Sequence, residues 1–110
     1  MQPARSDISL YRGDDWEQQL QFLDDDGTPY TFPPGEWRSE VRTKPDGELV
    51  TELEVQTDKL DEGILTLSLS ADNTVEFPAQ SVYDLQMVTE EGKTQTYVVG
   101  TIQVTKDVTL

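Results

Sequence analysis

The sequence predicts an all-β sandwich, and three observations point to it. Apolar and polar residues alternate with period two through most of the 110 residues. Sustained i, i+3, i+4 apolar spacing, which marks an amphipathic helix, does not occur. Glycine-containing turn signals separate the alternating stretches. Seven to eight short, two-faced strands in one chain of this length are typical of an immunoglobulin-like antiparallel β-sandwich, with a closed barrel as the alternative.

The alternating stretches define the predicted strands in chain order. They are residues 7–12, 15–23, 36–44, 49–57, 64–70, 81–89 and 94–105. Their core-facing positions are predicted to be Ile8, Leu10, Trp16, Leu20, Phe22, Trp37, Ser39, Val41, Leu49, Leu53, Val55, Leu65, Leu67, Leu69, Tyr83, Leu85 and Met87. At most one short helical turn is expected, over residues 71–77, where Asp72 is predicted to cap the turn before Pro78 ends it.

Three loops share one turn chemistry, at residues 25–27, 45–47 and 90–92. Each ends in glycine, which is typical of a type I turn followed by a left-handed residue in a three-residue hairpin loop. Positive φ is therefore expected at Gly47 and Gly92.

The loop length fixes the predicted pairing of the strands around residues 45–47. Pairs there sum to 92, so Ser39 faces Leu53, and Trp37 faces Val55 on the same side. A two-residue loop would place Val41 opposite Glu52 and mix the faces, which favours the three-residue loop.

The last hairpin has the same turn chemistry. Around residues 90–92 the register predicts that Leu85 faces Tyr97 and that Tyr83 faces Val99. Beyond Gly100 the apolar positions change parity, to Ile102 and Val104. A β-bulge at Gly100 would let both sets face inward.

Composition excludes several classes of function. The chain has 8 basic and 22 acidic side chains, a net charge of −14, which argues against binding nucleic acid or an anionic membrane. With no Cys and no His, disulfide scaffolds, zinc fingers, cysteine nucleophiles and the usual general base are missing. We expect a single domain over residues 1–110, with no secretion signal and no membrane span.

No motif indicates catalysis, a cofactor or a metal site. Acid pairs are inevitable among 22 carboxylates, and a solvated surface explains them better than glycoside hydrolysis. Residues 24–27 could offer oxygens to calcium, but the ligand spacing of an EF-hand is missing, which favours a hairpin turn. The aromatic residues Trp16, Tyr30, Phe32 and Trp37 could form a sugar platform, although alternation places both tryptophans on core faces.

Two features are candidates for docking to a partner protein. Arg38, Arg42 and Lys44 hold three of the eight basic groups on one outward strand face, where they either pair with Glu54, Glu52 and Glu48 or form a docking stripe. The second feature is the stiff connector of residues 31–35. The candidate docking residues are Tyr30, Phe32, Pro33, Pro34, Arg38, Arg42 and Lys44.

Five motifs give the chain a family resemblance. They are Arg12-Gly13-Asp14, Asp26-Gly27-Thr28-Pro29, Lys44-Pro45-Asp46-Gly47, Gly63 with Leu65 and Leu67, and Tyr83-Asp84-Leu85-Gln86. In this order they resemble the immunoglobulin-like N-terminal domains of bacteriophage baseplate upper proteins and related small phage tail proteins.

The resemblance implies a non-enzymatic structural subunit of a phage virion. It implies a tail, baseplate or fibre-attachment adaptor that is assembled in the host cytoplasm and docks in multiple copies to other virion proteins. The alternatives are a capsid decoration protein and, from another class, a carbohydrate-binding module.

Overall fold

The computed structural model describes residues 3–74 and 77–105, which form eight strands. The strands are β1 Ala4–Arg5, β2 Ile8–Tyr11, β3 Trp16–Gln21, β4 Gly35–Arg42, β5 Leu49–Gln56, β6 Ile64–Leu69, β7 Gln80–Thr89 and β8 Thr94–Thr105. A 3-10 turn, Leu60–Glu62, precedes β6, and a one-turn helix α1, Ala71–Thr74, follows it. The predicted all-β sandwich is confirmed, and no described helix is long and apolar enough to cross a membrane.

The strands form two sheets that share one strand. The first sheet has the order β1/β2–β8–β7–β4–β5, and the second has the order β5–β6–β3. Strand β5 changes sheets along its length: its first half pairs with β4, and its last residues, from Glu54 to Gln56, pair with β6. Neighbouring strands are antiparallel except at the start of the chain, where β1 and β2 run parallel to β8.

The core lies between the sheets and consists mainly of the residues that period two predicts. Its buried apolar members are Ile8, Leu10, Val41, Leu53, Leu65, Leu67, Leu69, Phe77, Tyr83, Leu85, Met87, Tyr97, Val98 and Ile102. Of the residues predicted to face the core, Trp16, Leu20, Phe22, Trp37 and Val55 are half-buried and pack against its rim.

The hairpin between β4 and β5 has the predicted register but not the predicted loop. Ser39 faces Leu53, and Val41 faces Thr51, as the sequence indicates. The loop is one residue longer than predicted, because Thr43 N donates to Glu48 O at 3.0 Å. The positive φ falls on Asp46, at 60°, so the prediction for Gly47 is wrong.

A bulge in β5 reconciles this longer loop with the register. Arg42 pairs with Leu49 while Val41 pairs with Thr51, which leaves Val50 as the extra residue. In β5, the side chains on the N-terminal side of the bulge therefore point to the opposite face from the one predicted. Leu49 was predicted to face the core but is 50% exposed, and Val50 packs against the core instead.

The other two loops agree with the prediction. Asp24 N donates to Thr28 O at 2.8 Å, and Thr89 N donates to Lys93 O at 2.8 Å, so each loop holds three residues. Gly27 and Gly92 both have φ of 86°, in the left-handed region that glycine adopts without strain.

The bulge predicted at Gly100 lies elsewhere. Gln86 pairs with Thr96 as expected, but Leu85 pairs with Val98 rather than Tyr97, and Tyr83 pairs with Gly100 rather than Val99. The extra residue is therefore Tyr97, and the change in parity occurs three residues before Gly100. Tyr97 and Val98 are consequently both buried.

Gly100 serves a different purpose, the close approach of the N-terminal strand. A Cβ atom there would collide with the carbonyl oxygen of Ser6, in the break between β1 and β2. Tyr83 Oη donates a hydrogen bond to that same carbonyl. The Asp7 carboxylate accepts hydrogen bonds from Thr101 N at 3.0 Å and Thr101 Oγ1 at 3.2 Å. These bonds lower the pKa of Asp7.

A polar latch, formed by Arg12, Gly13, Thr74 and the carbonyl of Phe77, joins the end of β2 to the α1 segment. Gly13 N donates to Oγ1 of the fully buried Thr74 at 2.8 Å, and Thr74 Oγ1 donates to Ala71 O at 2.8 Å. Arg12 Nη2 donates to Phe77 O at 2.9 Å. The Arg12-Gly13-Asp14 step is therefore bound into the domain.

The cap of α1 differs from the prediction. Ala71 N donates to Oδ1 of Asp15 at 2.6 Å, so the cap comes from a distant segment. Asp72 lies within the first turn and is exposed, so its predicted capping role is wrong. Thr74 is the last helical residue, and residues 75 and 76 of the predicted turn lie outside the described part of the chain.

Candidate docking surface

Tyr30 and Phe32 belong to an aromatic cluster, defined by Phe22, Tyr30, Phe32, Trp37 and Tyr97. The Phe32 ring lies 5.0 Å from Tyr30, 5.2 Å from Trp37 and 5.6 Å from Tyr97, measured between ring centroids. Most pairs in the cluster are edge to face, an arrangement that aromatic quadrupoles favour. Tyr30 and Phe32 are half-buried, so only part of each ring is open to a partner.

The four residues considered for a sugar platform do not form one surface. Tyr30, Phe32 and Trp37 lie in the aromatic cluster, whereas Trp16 pairs with Leu69 at the opposite end of β3. The rings of the cluster meet edge to face around the buried Tyr97 instead of presenting coplanar faces to solvent. Packing is therefore their structural role.

Pro33 and Pro34 are exposed, and they lead directly into β4. Gly35, the first residue of β4, pairs with Thr89, and a Cβ atom on it would collide with Met87 and Val88. The sheet thus anchors one end of the connector and leaves both prolines accessible.

The basic stripe, defined as Arg38, Arg42 and Lys44, lies at the outward face of β4 and its following loop. Arg38 and Lys44 are exposed, whereas Arg42 is half-buried. Arg42 Nη2 lies 3.2 Å from Glu40 Oε1, and Arg42 Nη1 donates to Gly47 O at 2.9 Å.

The predicted pairing of this stripe with Glu48, Glu52 and Glu54 is wrong. Among the described residues the ion pairs are Arg42–Glu40 and Arg5–Asp7. The register gives two physical reasons: the bulge at Val50 places Arg42 opposite Leu49, and Glu54 lies where β5 pairs with Ser68 of β6 instead of with β4. Arg42 then offsets the charge of its own strand neighbour.

A depression that sequence reasoning missed lies beside the stripe, on the outer face of β8, β7 and β4. This outer groove has a volume of about 700 Å³, and it is lined by Arg5, Glu40, Arg42, Val82, Asp84, Val99 and Thr101, among others. Val82 and Val99 give it an apolar floor between two arginines. Val82, at an outward position of β7, was the only signal in the sequence, because the predicted register placed Val99 opposite the core-facing Tyr83.

The centre of the outer groove coincides with a break in the β4–β7 ladder. Arg38 pairs with Gln86 and Val41 with Tyr83, but the positions between them are unpaired. Ser39 Oγ donates to Asp84 O at 2.6 Å inside this break. Burial raises the pKa of Asp84, and a hydrogen bond from the backbone N–H of Glu40 partly opposes this. The charge of Glu40 raises the pKa and that of Arg42 lowers it, both by smaller amounts.

The acidic loop at residues 24–27 has the geometry of a hairpin turn. Asp26 Oδ1 accepts hydrogen bonds from Thr28 N at 3.1 Å and Thr28 Oγ1 at 2.7 Å, which lowers the pKa of Asp26. Within residues 3–74 and 77–105, no group of three or more acidic side chains is arranged to hold a metal ion.

These features define a β-sandwich domain whose distinctive surfaces are a groove, a basic stripe and a proline connector. The chain belongs to the LtfC-like β-sandwich domain family, whose model matches residues 2–105. The search of curated protein sequences gave no significant match.

Solved structures of other proteins align with this chain. An SrpA adhesin from Streptococcus sanguinis, solved as its R347E mutant, aligns with a TM-score of 0.54 and 16% identity over 91% of this chain. The chain spans 55% of that structure's length. CopC from Methylosinus trichosporium OB3b aligns over 67% of this chain and 66% of its own, with 18% identity and a TM-score of 0.40. At 16% identity the likeness to the SrpA adhesin concerns the fold alone.

Proposed function

We propose that the protein is a non-enzymatic structural subunit of a bacteriophage virion, in the tail, the baseplate or a fibre attachment. Two observations support this proposal: the motif order that resembles phage baseplate upper proteins, and membership of the LtfC-like family. The subunit acts by docking to other virion proteins in several copies and is assembled in the host cytoplasm.

The outer groove is the structural feature that best supports a docking mechanism. Its valine floor offers apolar surface, and Arg5 and Arg42 flank that floor. Arg5 and Arg42 are paired with Asp7 and Glu40, whereas the exposed Arg38 on the same face of β4 makes no ion pair with a described residue. A partner that places an apolar side chain on the valines and carboxylates near the arginines would fit this surface, and such mixed contacts favour specificity and fast association.

The net charge of the whole surface affects which partners the protein can bind. The net charge of −14 favours basic patches on other virion proteins and discourages non-specific association. A stable interface of this kind would bury roughly 1,000 Å² or more. The groove and the proline connector together supply surface for such contacts.

The test is capture of purified tail, baseplate and head proteins of the parent particle by the immobilised chain. Arg38→Glu reverses an exposed charge of the basic stripe without touching the Arg42–Glu40 pair, and it should weaken capture at least about tenfold. Lys59→Glu is the matched control, because Lys59 is also exposed but lies outside the stripe.

The same experiment separates the alternatives. Capture by head proteins alone would indicate a capsid decoration protein. A chain that is missing from purified particles and binds an oligosaccharide at micromolar affinity would contradict the virion proposal and favour a carbohydrate-binding module.

A further inference from the structure

Strand β3 lies at an open edge of the second sheet. It pairs with β6 on one side, and no strand of residues 3–74 and 77–105 pairs with it on the other. The first strands of the chain, β1 and β2, pair with β8 in the opposite sheet instead. An open edge presents unpaired N–H and C=O groups to any strand that can approach.

The pairing with β6 shows which backbone groups face this edge. Phe22 N donates to Gly63 O at 2.7 Å, so even-numbered residues of this segment direct their backbone groups toward β6. The N–H and C=O groups of Glu17, Gln19 and Gln21 therefore point to the open side. The acidic hairpin that follows does not cover them, because Tyr30 N donates to Phe22 O on the β6 side, at 3.0 Å.

The two edges of the sandwich differ in how they are protected against strand addition. The β1/β2 edge is broken at Ser6 and Asp7, and it carries the Arg5–Asp7 ion pair at 3.3 Å. Strand β3 has no proline, no lysine and no bulge, and its register with β6 runs without interruption from Trp16 to Gln21. Charges, prolines and bulges are the usual protections of an edge.

We propose that the β3 strands of two copies of this chain pair antiparallel about a two-fold axis at Gln19, which joins their second sheets into one. This register uses all three outward-pointing positions of β3. Gln19 then faces Gln19 of the second copy, and Glu17 faces Gln21.

The charge along the strand identifies a second copy as the occupant. Glu17 is the one charged residue of the WEQQLQ strand, in a chain whose net charge is −14. In the proposed register the two Glu17 side chains are offset by four residues, roughly 13 Å along the strands. This distance exceeds the screening length of about 8 Å at physiological ionic strength. Within Trp16–Gln21 the seam is therefore lined mainly by amides, and the acidic Asp15 and Asp24 that flank it add to the repulsion that salt would screen.

The apolar face of the same strand adds a second reason. Trp16 and Leu20 face the core but remain half-buried, because β3 has a neighbour on one side only. A second β3 strand would cover part of both side chains, and removing apolar surface from water stabilises the pair.

A cysteine cross-link tests the register, because the chain has no cysteine of its own. Residues that face each other in a hydrogen-bonded antiparallel pair have Cα atoms about 5.5 Å apart, within the range of a disulfide. Gln19→Cys should therefore form a covalent dimer under mild oxidation. Glu17→Cys is the matched control on the same exposed face, and it should cross-link at least about tenfold more slowly. Equal rates for the two variants would overturn the proposal.

Sedimentation of the whole chain tests the edge itself. The wild type should dimerise, and the dimer should tighten severalfold between about 20 mM and about 500 mM salt, because salt screens the repulsion between the two net charges. Gln19→Pro removes a backbone N–H that points to the open edge and makes no hydrogen bond to β6. The variant should therefore be a monomer, and its unfolding temperature should be unchanged. Gln19→Thr keeps the N–H and should remain dimeric.

Two results would contradict the proposal: a wild-type chain that stays monomeric at high concentration in both salts, or a Gln19→Pro variant that dimerises like the wild type. If Gln19→Pro fails to fold, Gln19→Glu replaces it, since this exposed change places like charges on the axis and should weaken the dimer most at low salt. None of these measurements requires the virion function to be correct.

Discussion

The two ends of the sandwich are held together by different forces. Strand β8 runs between them: Tyr97, near its start, lies in the aromatic cluster, and Thr105, at its end, accepts a hydrogen bond from Arg12 N at 2.9 Å, beside the polar latch. At the aromatic end, rings pack edge to face with no hydrogen bond of good geometry to the Tyr97 hydroxyl among the described residues. At the other end, part-buried hydrogen bonds from Gly13 and Arg12 hold the chain to the α1 segment.

The difference follows from what each end must bury. The aromatic end closes over large side chains, so dispersion and the hydrophobic effect stabilise it. The latch end closes over backbone N–H and C=O groups at the end of a strand and a one-turn helix, so it needs hydrogen-bonding partners. The four predictions below test this contrast from the largest expected effect to the smallest.

Tyr97→Ala should have the largest effect. Tyr97 is 1% exposed, and its ring contacts four other aromatic residues, so its removal leaves a cavity. The free energy of unfolding should fall by about 3–5 kcal/mol, as measured by chemical denaturation. A loss under about 1 kcal/mol would show that the aromatic end collapses around the cavity or contributes little.

Thr74→Val should have the second largest effect. The change keeps the side-chain volume but removes the acceptor for Gly13 N and the donor to Ala71 O. Leaving the part-buried Gly13 N–H and Ala71 carbonyl without their partner should cost about 1–3 kcal/mol. Thr57→Val is the control at an exposed position and should change stability by less than about 0.5 kcal/mol.

Gly13→Ala and Gly92→Ala compare the turns at the two ends. Their φ angles are 92° and 86°, and a Cβ atom would meet nothing within 4 Å at either position. Each change should therefore cost about 1 kcal/mol from the backbone alone. If Gly13→Ala costs much more than Gly92→Ala, the latch depends on the exact direction of the Gly13 N–H.

Tyr97→Phe should have the smallest effect. The hydroxyl is buried close to the Tyr30 hydroxyl, and no described residue forms a hydrogen bond of good geometry with it. Its removal should change the free energy of unfolding by less than about 1 kcal/mol, in contrast to Thr74→Val. A larger loss, measured in the same denaturation experiment, would mean that the aromatic end also depends on a hydrogen bond.

Local patterns predicted much of this fold. Period two identified the core faces of β2, β6 and β7, and turn chemistry identified the left-handed Gly92. Such features depend on residues close in sequence, where sterics and burial act together. The pairs Ser39–Leu53 and Val41–Thr51 were predictable for the same reason.

The errors arise where distant segments meet. The β7–β8 bulge lies at Tyr97, whose ring packs in the aromatic cluster. Residue 100 must be glycine because a Cβ atom there would collide with Ser6. Asp15 caps α1 from 56 residues away. These contacts cannot be predicted from residues that are close together in the sequence.

The candidate docking residues were partly recognisable. The basic stripe followed from alternation alone, whereas the outer groove needs Arg5 of the parallel N-terminal strand beside Val99. The ion pair of Arg42 is with Glu40 of its own strand rather than across the sheet, and the bulge at Val50, which places Leu49 opposite Arg42, was not indicated by the sequence.

The parallel pairing of the first strands with β8 has a mechanical consequence. Ala4 lies beside Val98 and Tyr11 beside Thr105, so the two segments run side by side in one direction. A pull that separates Ala4 from Thr105 would slide them past each other. The hydrogen bonds across this ladder would then share the load rather than break one after another. A domain built in this way resists tension along its length better than one whose terminal strands peel apart.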